Sequence, residues 1–345
     1  MNLRLFPLVL ALGIAPLGLA AAPQAPQPIA PAAPQQQPGT PIPPAPPAPV
    51  PPPQLPPSPP PSPQSALDVQ VLLDRVSFSP GVIDGKGGGN TAKALSAFQA
   101  AHDLPVTGKV DAVTWQNLLA AGGPQTLVAY TLTPADLAGP FVPQIPADLE
   151  AQAKLPSLSY TSPLELLSET FHSTPQLLQQ LNPGAPFNAP GEVIRVPNVR
   201  PPADPKQAKS SEVRVVVSKD NRTLTVENGD DVLFFAPVTA GSEHDPLPLG
   251  EWKVKGVARN PVFHYNPKLF WNADPKDAKV TIPAGPNNPV GVVWIDLSKE
   301  HYGIHGTPAP ERIGKTFSHG CVRLTNWDAL TVASLVKPGT PVLFQ

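Results

Sequence analysis

The densest chemistry in this 345-residue chain surrounds its single cysteine. Cys321 lies in Ser318-His319-Gly320-Cys321-Val322-Arg323, sixteen positions after His305 in Gly303-Ile304-His305-Gly306-Thr307. A lone thiol forms no intramolecular disulfide, which leaves reactivity, metal binding or packing. A free thiol titrates near about 8.5, and a neighbouring imidazolium or backbone donors can lower that value and expose a strong nucleophile. His305 is the candidate base: after attack on a carbonyl it can pass the thiol proton to a leaving amine. His319 is two residues from Cys321, so in an extended segment both side chains share a face, and His319 becomes a second hydrogen-bonding group. Arg323 has the same spacing and can hold a carboxylate through two parallel hydrogen bonds. Ser318 joins it as a candidate substrate-binding residue. The N–H groups around Gly320 and Cys321 are candidate oxyanion donors, and Gly306 and Gly320 let backbone approach a substrate closely.

Two other readings use the same residues. His301, His305, His319 and Cys321 form a possible zinc set, with His301 and His305 at helical spacing. Gly303 and Gly306 argue against a helix there, and no carboxylate general base follows either histidine, so no metal and no cofactor are expected. A papain-like protease fits poorly, because there the cysteine precedes the histidine in sequence.

The elements that must position this group are mostly strands. Val213, Val215 and Val217 alternate along one face; Leu224 and Val226 follow an Asp220-Asn221 turn; Val232 to Phe235 follow Asn228-Gly229-Asp230. Trp252–Val257, Val292–Ile295 and Val342–Phe344 supply further strands, and Asn326 to Val336 reads as a helix with Trp327, Leu330 and Leu335 on one face. The catalytic unit is thus expected over 211–345, mostly β, behind a polar hinge at 201–210.

Ahead of it the chain changes character several times. Residues 1–22 have the layout of a secretory signal peptide: Arg4, an apolar run from Leu5 to Leu19 broken by Pro7 and Pro16, then Ala20-Ala21-Ala22. Residues 23–64 hold 21 prolines in 42 positions, which bury no core and suit polyproline II or disorder. The expected location is therefore the periplasm, with membrane contact only through the signal peptide before cleavage. An unpaired thiol is a liability in an oxidising compartment, which favours a working cysteine. The net charge of -2 and the lack of a basic stripe exclude nucleic acid as the expected partner.

Residues 65–122 read as three helices separated by two turns, Val82-Ile83-Asp84-Gly85 and Val106-Thr107-Gly108-Lys109-Val110-Asp111, with Thr91 expected to cap the second helix. The two turns form a weak internal repeat. Ile83-Asp84-Gly85, Thr91, Phe98-Gln99, Leu104, Val106-Thr107-Gly108 and Thr114 resemble the peptidoglycan-binding type 1 domain. Residues 128–200 read as a strand at Val128–Leu132, an insertion, helices from Pro163 and Pro175, and a strand at Val193–Pro197. With Leu178, Leu181-Asn182 and Ile194-Val196-Pro197, this unit resembles a degenerate LysM module of βααβ order.

The cysteine region resembles the YkuD-type L,D-transpeptidase catalytic domain. The resemblance rests on His305-Gly306-Thr307 and Ser318-His319-Gly320-Cys321-Val322-Arg323-Leu324. It extends to Thr239–Ser242, Asp245–Gly250, Gly285–Gly291, Trp294-Ile295 and Lys337–Val342. It implies that Cys321 attacks the stem peptide of peptidoglycan at diaminopimelate and releases D-Ala, and that the Gly306 carbonyl orients His305. The acyl group then passes to an amine, giving a 3→3 cross-link. The same scaffold with water as acceptor would be an L,D-carboxypeptidase or endopeptidase, and a silent wall-anchoring protein is the reading from another class. Peptidoglycan is the expected partner.

Overall fold

The computed structural model describes residues 65–202, 212–274 and 276–345. The signal region over 1–22, the proline-rich 23–64 and most of the expected hinge lie outside the described residues.

Three helices, α1 (Ala66–Arg75), α2 (Gly89–Ala101) and α3 (Ala112–Gly122), form the first module. Ser65 and Asp111 cap α1 and α3 by accepting the N–H of Asp68 and of Thr114. Thr91 does not cap α2. That helix begins earlier, with extended Gly88 at its N-cap, and Thr91 is buried in its first turn, where its hydroxyl accepts from Gln70 at 3.4 Å. The internal repeat has a physical basis in two buried glutamines. Gln70 Oε1 accepts the N–H of Asp84 and Gly85 while its amide donates to the Lys86 carbonyl. Gln99 does the same for Thr107, Gly108 and the Lys109 carbonyl.

The second module pairs β1 (Leu127–Thr131) antiparallel with β2 (Val193–Pro197). Between them run α4 (Pro134–Leu137), α5 (Leu149–Gln152), α6 (Pro163–Thr170) and α7 (Pro175–Leu181). Ser162 and Thr174 cap α6 and α7, with proline at the first helical position of each. Leu132, Leu167, Leu178, Ile194 and Val196 make the core. The insertion carrying α4 and α5 is not a free loop. Leu158 packs with Tyr265 and Ile282 of the catalytic unit, with Ile145 and Leu149 at the edge of this cluster.

The catalytic unit contains β3 (Val213–Ser218), β4 (Thr223–Asn228), β5 (Asp231–Pro237), β6 (Thr239–Ala240), β7 (Gly250–Arg259), β8 (Phe263–Tyr265), β9 (Val280–Ile282), β10 (Val293–Leu297), β11 (Gly303–His305), β12 (Val322–Arg323), α8 (Asn326–Leu335) and β13 (Pro341–Phe344). Nine strands form one mixed sheet in the order β5-β4-β3-β13-β7-β10-β11-β12-β6, and β8 and β9 form a separate hairpin. The long β7 joins the two halves by pairing with both β13 and β10. This mostly-β unit with a mixed sheet behind a largely helical anterior region is the fold class the sequence predicts.

The face of α8 differs from expectation. Ala329, Val332 and Ala333 are fully buried, whereas Leu330 and Leu335 lie half-buried at the margin of the core. Buried Asn326, Trp327 and Asp328 face the anterior modules instead, and that second interface hides the helical period.

Those modules dock tightly. The Ser79 N–H donates to the Phe235 carbonyl and the Phe235 N–H to Ser77, so the first module extends the edge of the sheet at β5. Behind that edge, Arg200 pairs with Asp74 and, at 2.6 Å, with Asp328. His172 Nδ1 lies 3.0 Å from Asp74, and Ser79 donates to Asp328 at 3.0 Å. All five side chains are buried. The units flanking the expected hinge therefore share one desolvated polar seam.

Candidate active site

The site forms where β11 and β12 run parallel, with Ile304 opposite Val322 and His305 opposite Arg323. The Leu324 N–H donates to the His305 carbonyl at 2.8 Å and fixes the register. The sixteen-residue connection thus returns the chain beside itself and brings His305, Cys321 and Arg323 to one sheet end. The 318–323 segment is not extended throughout. It bends at His319–Cys321, with Gly320 at φ +93, and only Val322–Arg323 is strand. A Cβ on Gly320 would lie 2.5 Å from the Tyr302 ring. The shared face expected for His319 and Cys321 is lost to that bend, yet His319 still lines the site by another route. Its Nε2 donates to Asn272 Oδ1 at 2.8 Å and its ring sits edge-on to Phe270, both from the β8–β9 hairpin. A Gly320→Ala variant combines a strained left-handed φ with a collision. It should cost acyl-enzyme formation at least about tenfold, read as adduct accumulation by intact mass; an unchanged rate would mean that the bend does not set the thiol.

His305 is buried, stacked on Trp294, and its Nδ1 lies 2.7 Å from the Gly306 carbonyl. A carbonyl only accepts, so Nδ1 carries the proton and Nε2 is the basic nitrogen. Burial, reinforced by the Arg323 charge and opposed by the Gly306 carbonyl, lowers its pKa to about 3. The Cys321 Sγ lies 3.7 Å from the His301 carbonyl. Desolvation raises its pKa, against the Gly303 N–H and Arg323, with Asp245 adding to the rise. The resting pair is therefore neutral thiol and neutral imidazole. The thiol-lowering imidazolium considered from sequence is disfavoured at rest because burial penalises the charged ring.

Ser318 has a different part from the one expected. Its hydroxyl donates to the Cys321 carbonyl at 2.6 Å and accepts from the Gly241 N–H at 2.7 Å, and it is buried. Its donor and one acceptor site are spent inside the protein, where it shapes the cysteine turn. Arg323 Nε and His319 Nδ1 are buried with no hydrogen-bond partner in the protein, as is Asp245 Oδ2. Asp245 acts electrostatically on Cys321, His319 and Tyr302. Unpaired buried polar atoms are costly, so three of them around one thiol suit groups that a bound substrate satisfies. Asp245 and Asn272 were missed as site residues. Asp245 opens the Asp245–Gly250 motif, whereas nothing local marks Asn272. Among the described residues no group of three or more His, Cys, Asp or Glu side chains is arranged to hold a metal ion. His301 places its carbonyl, not its ring, toward the thiol.

Residues 212–343 match the L,D-transpeptidase catalytic domain family YkuD, and residues 63–118 match a peptidoglycan-binding domain family. A Bacillus licheniformis protein bearing the name L,D-transpeptidase YkuD is 34% identical over 181 residues, covering 52% of this chain and 91% of that protein. Those 181 residues cannot fit between 212 and 345, so the likeness runs back into the anterior region. Escherichia coli K12 has a protein bearing the name L,D-transpeptidase YbiS, 29% identical over 53% of this chain and 60% of its own length. The crystal structure of L,D-transpeptidase 3 from Mycobacterium tuberculosis aligns at 18% identity over 45% of this chain and 75% of that one, with a TM-score of 0.34.

Proposed function

This chain belongs to the YkuD L,D-transpeptidase family, and from that premise we propose that it is an exported peptidoglycan L,D-transpeptidase with Cys321 as nucleophile and His305 as base. The observation that carries the reading is the 2.7 Å bond from His305 Nδ1 to the Gly306 carbonyl, which leaves Nε2 of a neutral, buried imidazole as proton acceptor. The thiol need not be ionised at rest. As Sγ bonds to the carbonyl carbon of diaminopimelate, its proton passes to His305 Nε2, and the developing oxyanion is held by the N–H groups around Gly320 and Cys321. The imidazolium, destabilised by its burial, returns that proton to the D-Ala nitrogen as the C–N bond breaks. A thioester remains. An acceptor amine then attacks it, His305 takes the amine proton, and the thiol leaves with that proton restored. Arg323 Nε and His319 Nδ1 are the groups offered to substrate, a cation for a carboxylate and an acceptor for an N–H.

The anterior modules fit a wall-directed role: a peptidoglycan-binding domain, then a βααβ unit with LysM-like order, then the catalytic unit. An extracytoplasmic location follows from a peptidoglycan substrate, and we assign the periplasm on the signal-like residues 1–22. The reaction is tested by incubating purified sacculi with the enzyme and identifying the muropeptides. Dimers joined 3→3 are expected. Tripeptides alone would make it a carboxypeptidase, loss of existing dimers an endopeptidase, and an unchanged profile a wall-anchoring protein.

A further inference from the structure

We propose that Glu169, carried by α6 of the anterior module, is a positioning residue of the acyl-transfer site: it holds the Asn326 amide, which seats Gly306 and so orients the His305 imidazole. Asn326 begins α8, five residues after Cys321, and is fully buried. Its Nδ2 donates to both Glu169 oxygens, at 3.1 and 3.0 Å, and to the Pro286 carbonyl at 3.1 Å. Its Oδ1 accepts the Val292 N–H at 3.2 Å. The same Oδ1 presses on Gly306 and Gly291 so closely that a Cβ on either glycine would collide with it. Gly306 supplies the carbonyl that fixes the His305 tautomer. The chain of contacts is therefore continuous, Glu169 to Asn326 to Gly306 to His305, and it crosses the seam between the module and the catalytic unit.

Chemistry points to the carboxylate as the state that fits. Glu169 is surrounded by donors, with Tyr160 donating to Oε1 at 2.9 Å beside the Asn326 amide. A proton on the oxygen facing Asn326 Nδ2 would set donor against donor and release the amide. The other ionisable group facing it is Glu165, whose oxygens are taken by Thr161 and Asn287. Burial is the main force raising Glu169, to about 7; the bonds from Asn326 and Tyr160 act against it and the Glu165 charge adds to it. His305 and Cys321 shift out of the neutral range in opposite directions, so a transition near neutrality in this chain of contacts belongs to Glu169.

The catalytic consequence rests on the transpeptidase reading above, but the positioning does not, and the test keeps them apart. In the resting full-length protein, the His305 Nδ1 proton, followed by NMR after histidine labelling, should shift as pH crosses about 7. Glu169→Gln should flatten that shift, and Tyr160→Phe, which removes a donor to the carboxylate, should move its midpoint to higher pH. With the thermal midpoint of Glu169→Gln close to that of the parent, its acylation by a carbapenem should be on the order of ten- to a hundredfold slower. The parent's rate should rise through about pH 7, and the variant's should not. A resonance that behaves identically in parent and Glu169→Gln, or equal acylation rates with the same pH profile, would overturn the proposal. A Glu169-dependent shift in a parent protein that never acylates would uphold the positioning and retire the transpeptidase reading.

Discussion

Replacing Cys321 by alanine should leave no covalent adduct when the protein is incubated with a carbapenem, an acylating inhibitor class of this family, and weighed intact. The chain has no second thiol to take over. Loss of a nucleophile that works with its base as a unit removes on the order of 10⁴-fold or more of the rate, so the change is from full labelling to none. The fold should survive, because the turn that carries the half-buried cysteine is also held by Ser318 and Gly241, and the thiol adds only weak contacts with the His301 carbonyl and the Gly303 N–H. An unshifted thermal transition checks that point. Adduct on the alanine protein would mean that another group attacks and would remove Cys321 from the mechanism. The neutral resting pair adds a finer expectation: simple alkylating reagents should label the thiol slowly at neutral pH, because deprotonation awaits a substrate that engages His305.

The second large effect is on stability and arises far from the thiol. Arg200→Ala should lower the unfolding free energy by about 3–5 kcal/mol, because it strands Asp74 and Asp328, both fully buried, without their shared cation. In the intact protein burial alone would raise Asp74, but Arg200 and His172 outweigh it and hold that carboxyl below the usual range. At Asp328 burial prevails over Arg200 and the carboxyl is raised. Without Arg200 the already raised Asp328 carboxyl rises further, and Asp74 keeps only His172 and a backbone N–H against its burial. The native state then binds more protons than the unfolded chain, and the variant should gain stability as pH falls. Urea unfolding of parent and variant at pH 8 and pH 5 reads both quantities: a large deficit at the higher pH, a smaller one at the lower. Equal deficits at the two pH values would mean that Arg200 acts through packing on Phe234, over whose ring it lies at 5.2 Å, and not through charge.

The seam that this prediction addresses also explains what could be read in advance. The starts of α6 and α7 were legible because a proline at the first helical position is a local signal, here Pro163 and Pro175. Strands were legible because alternation is local too, as in β3, where Val213, Val215 and Val217 are buried. The face of α8 was misread because Asn326 and Asp328, polar by type, are buried against Glu169 and Arg200 from residues 157 and 128 positions away. No periodicity within one helix encodes a partner at that distance. Thr91 failed as a cap for a related reason: a buried hydroxyl needed by Gln70 looks, in sequence, like a helix start.

By itself the sequence determined the chemical inventory and its order: one thiol, a histidine sixteen residues before it, an arginine two after it, and a peptidoglycan-binding domain upstream. Residue type and spacing suffice for this, because they limit which proton and which electron pair are available. Tertiary structure decided how those groups are tuned. The parallel pairing of β11 with β12 brings His305 and Cys321 to one end of the sheet, and the Gly306 carbonyl selects the basic nitrogen of His305. Burial keeps both groups neutral at rest. The fold also ties Ser318 into the cysteine turn and brings in Asn272 and Asp245, which lie far from Cys321 in sequence. Desolvation and hydrogen-bond direction depend on everything packed around a group, and only the folded chain brings those surroundings together.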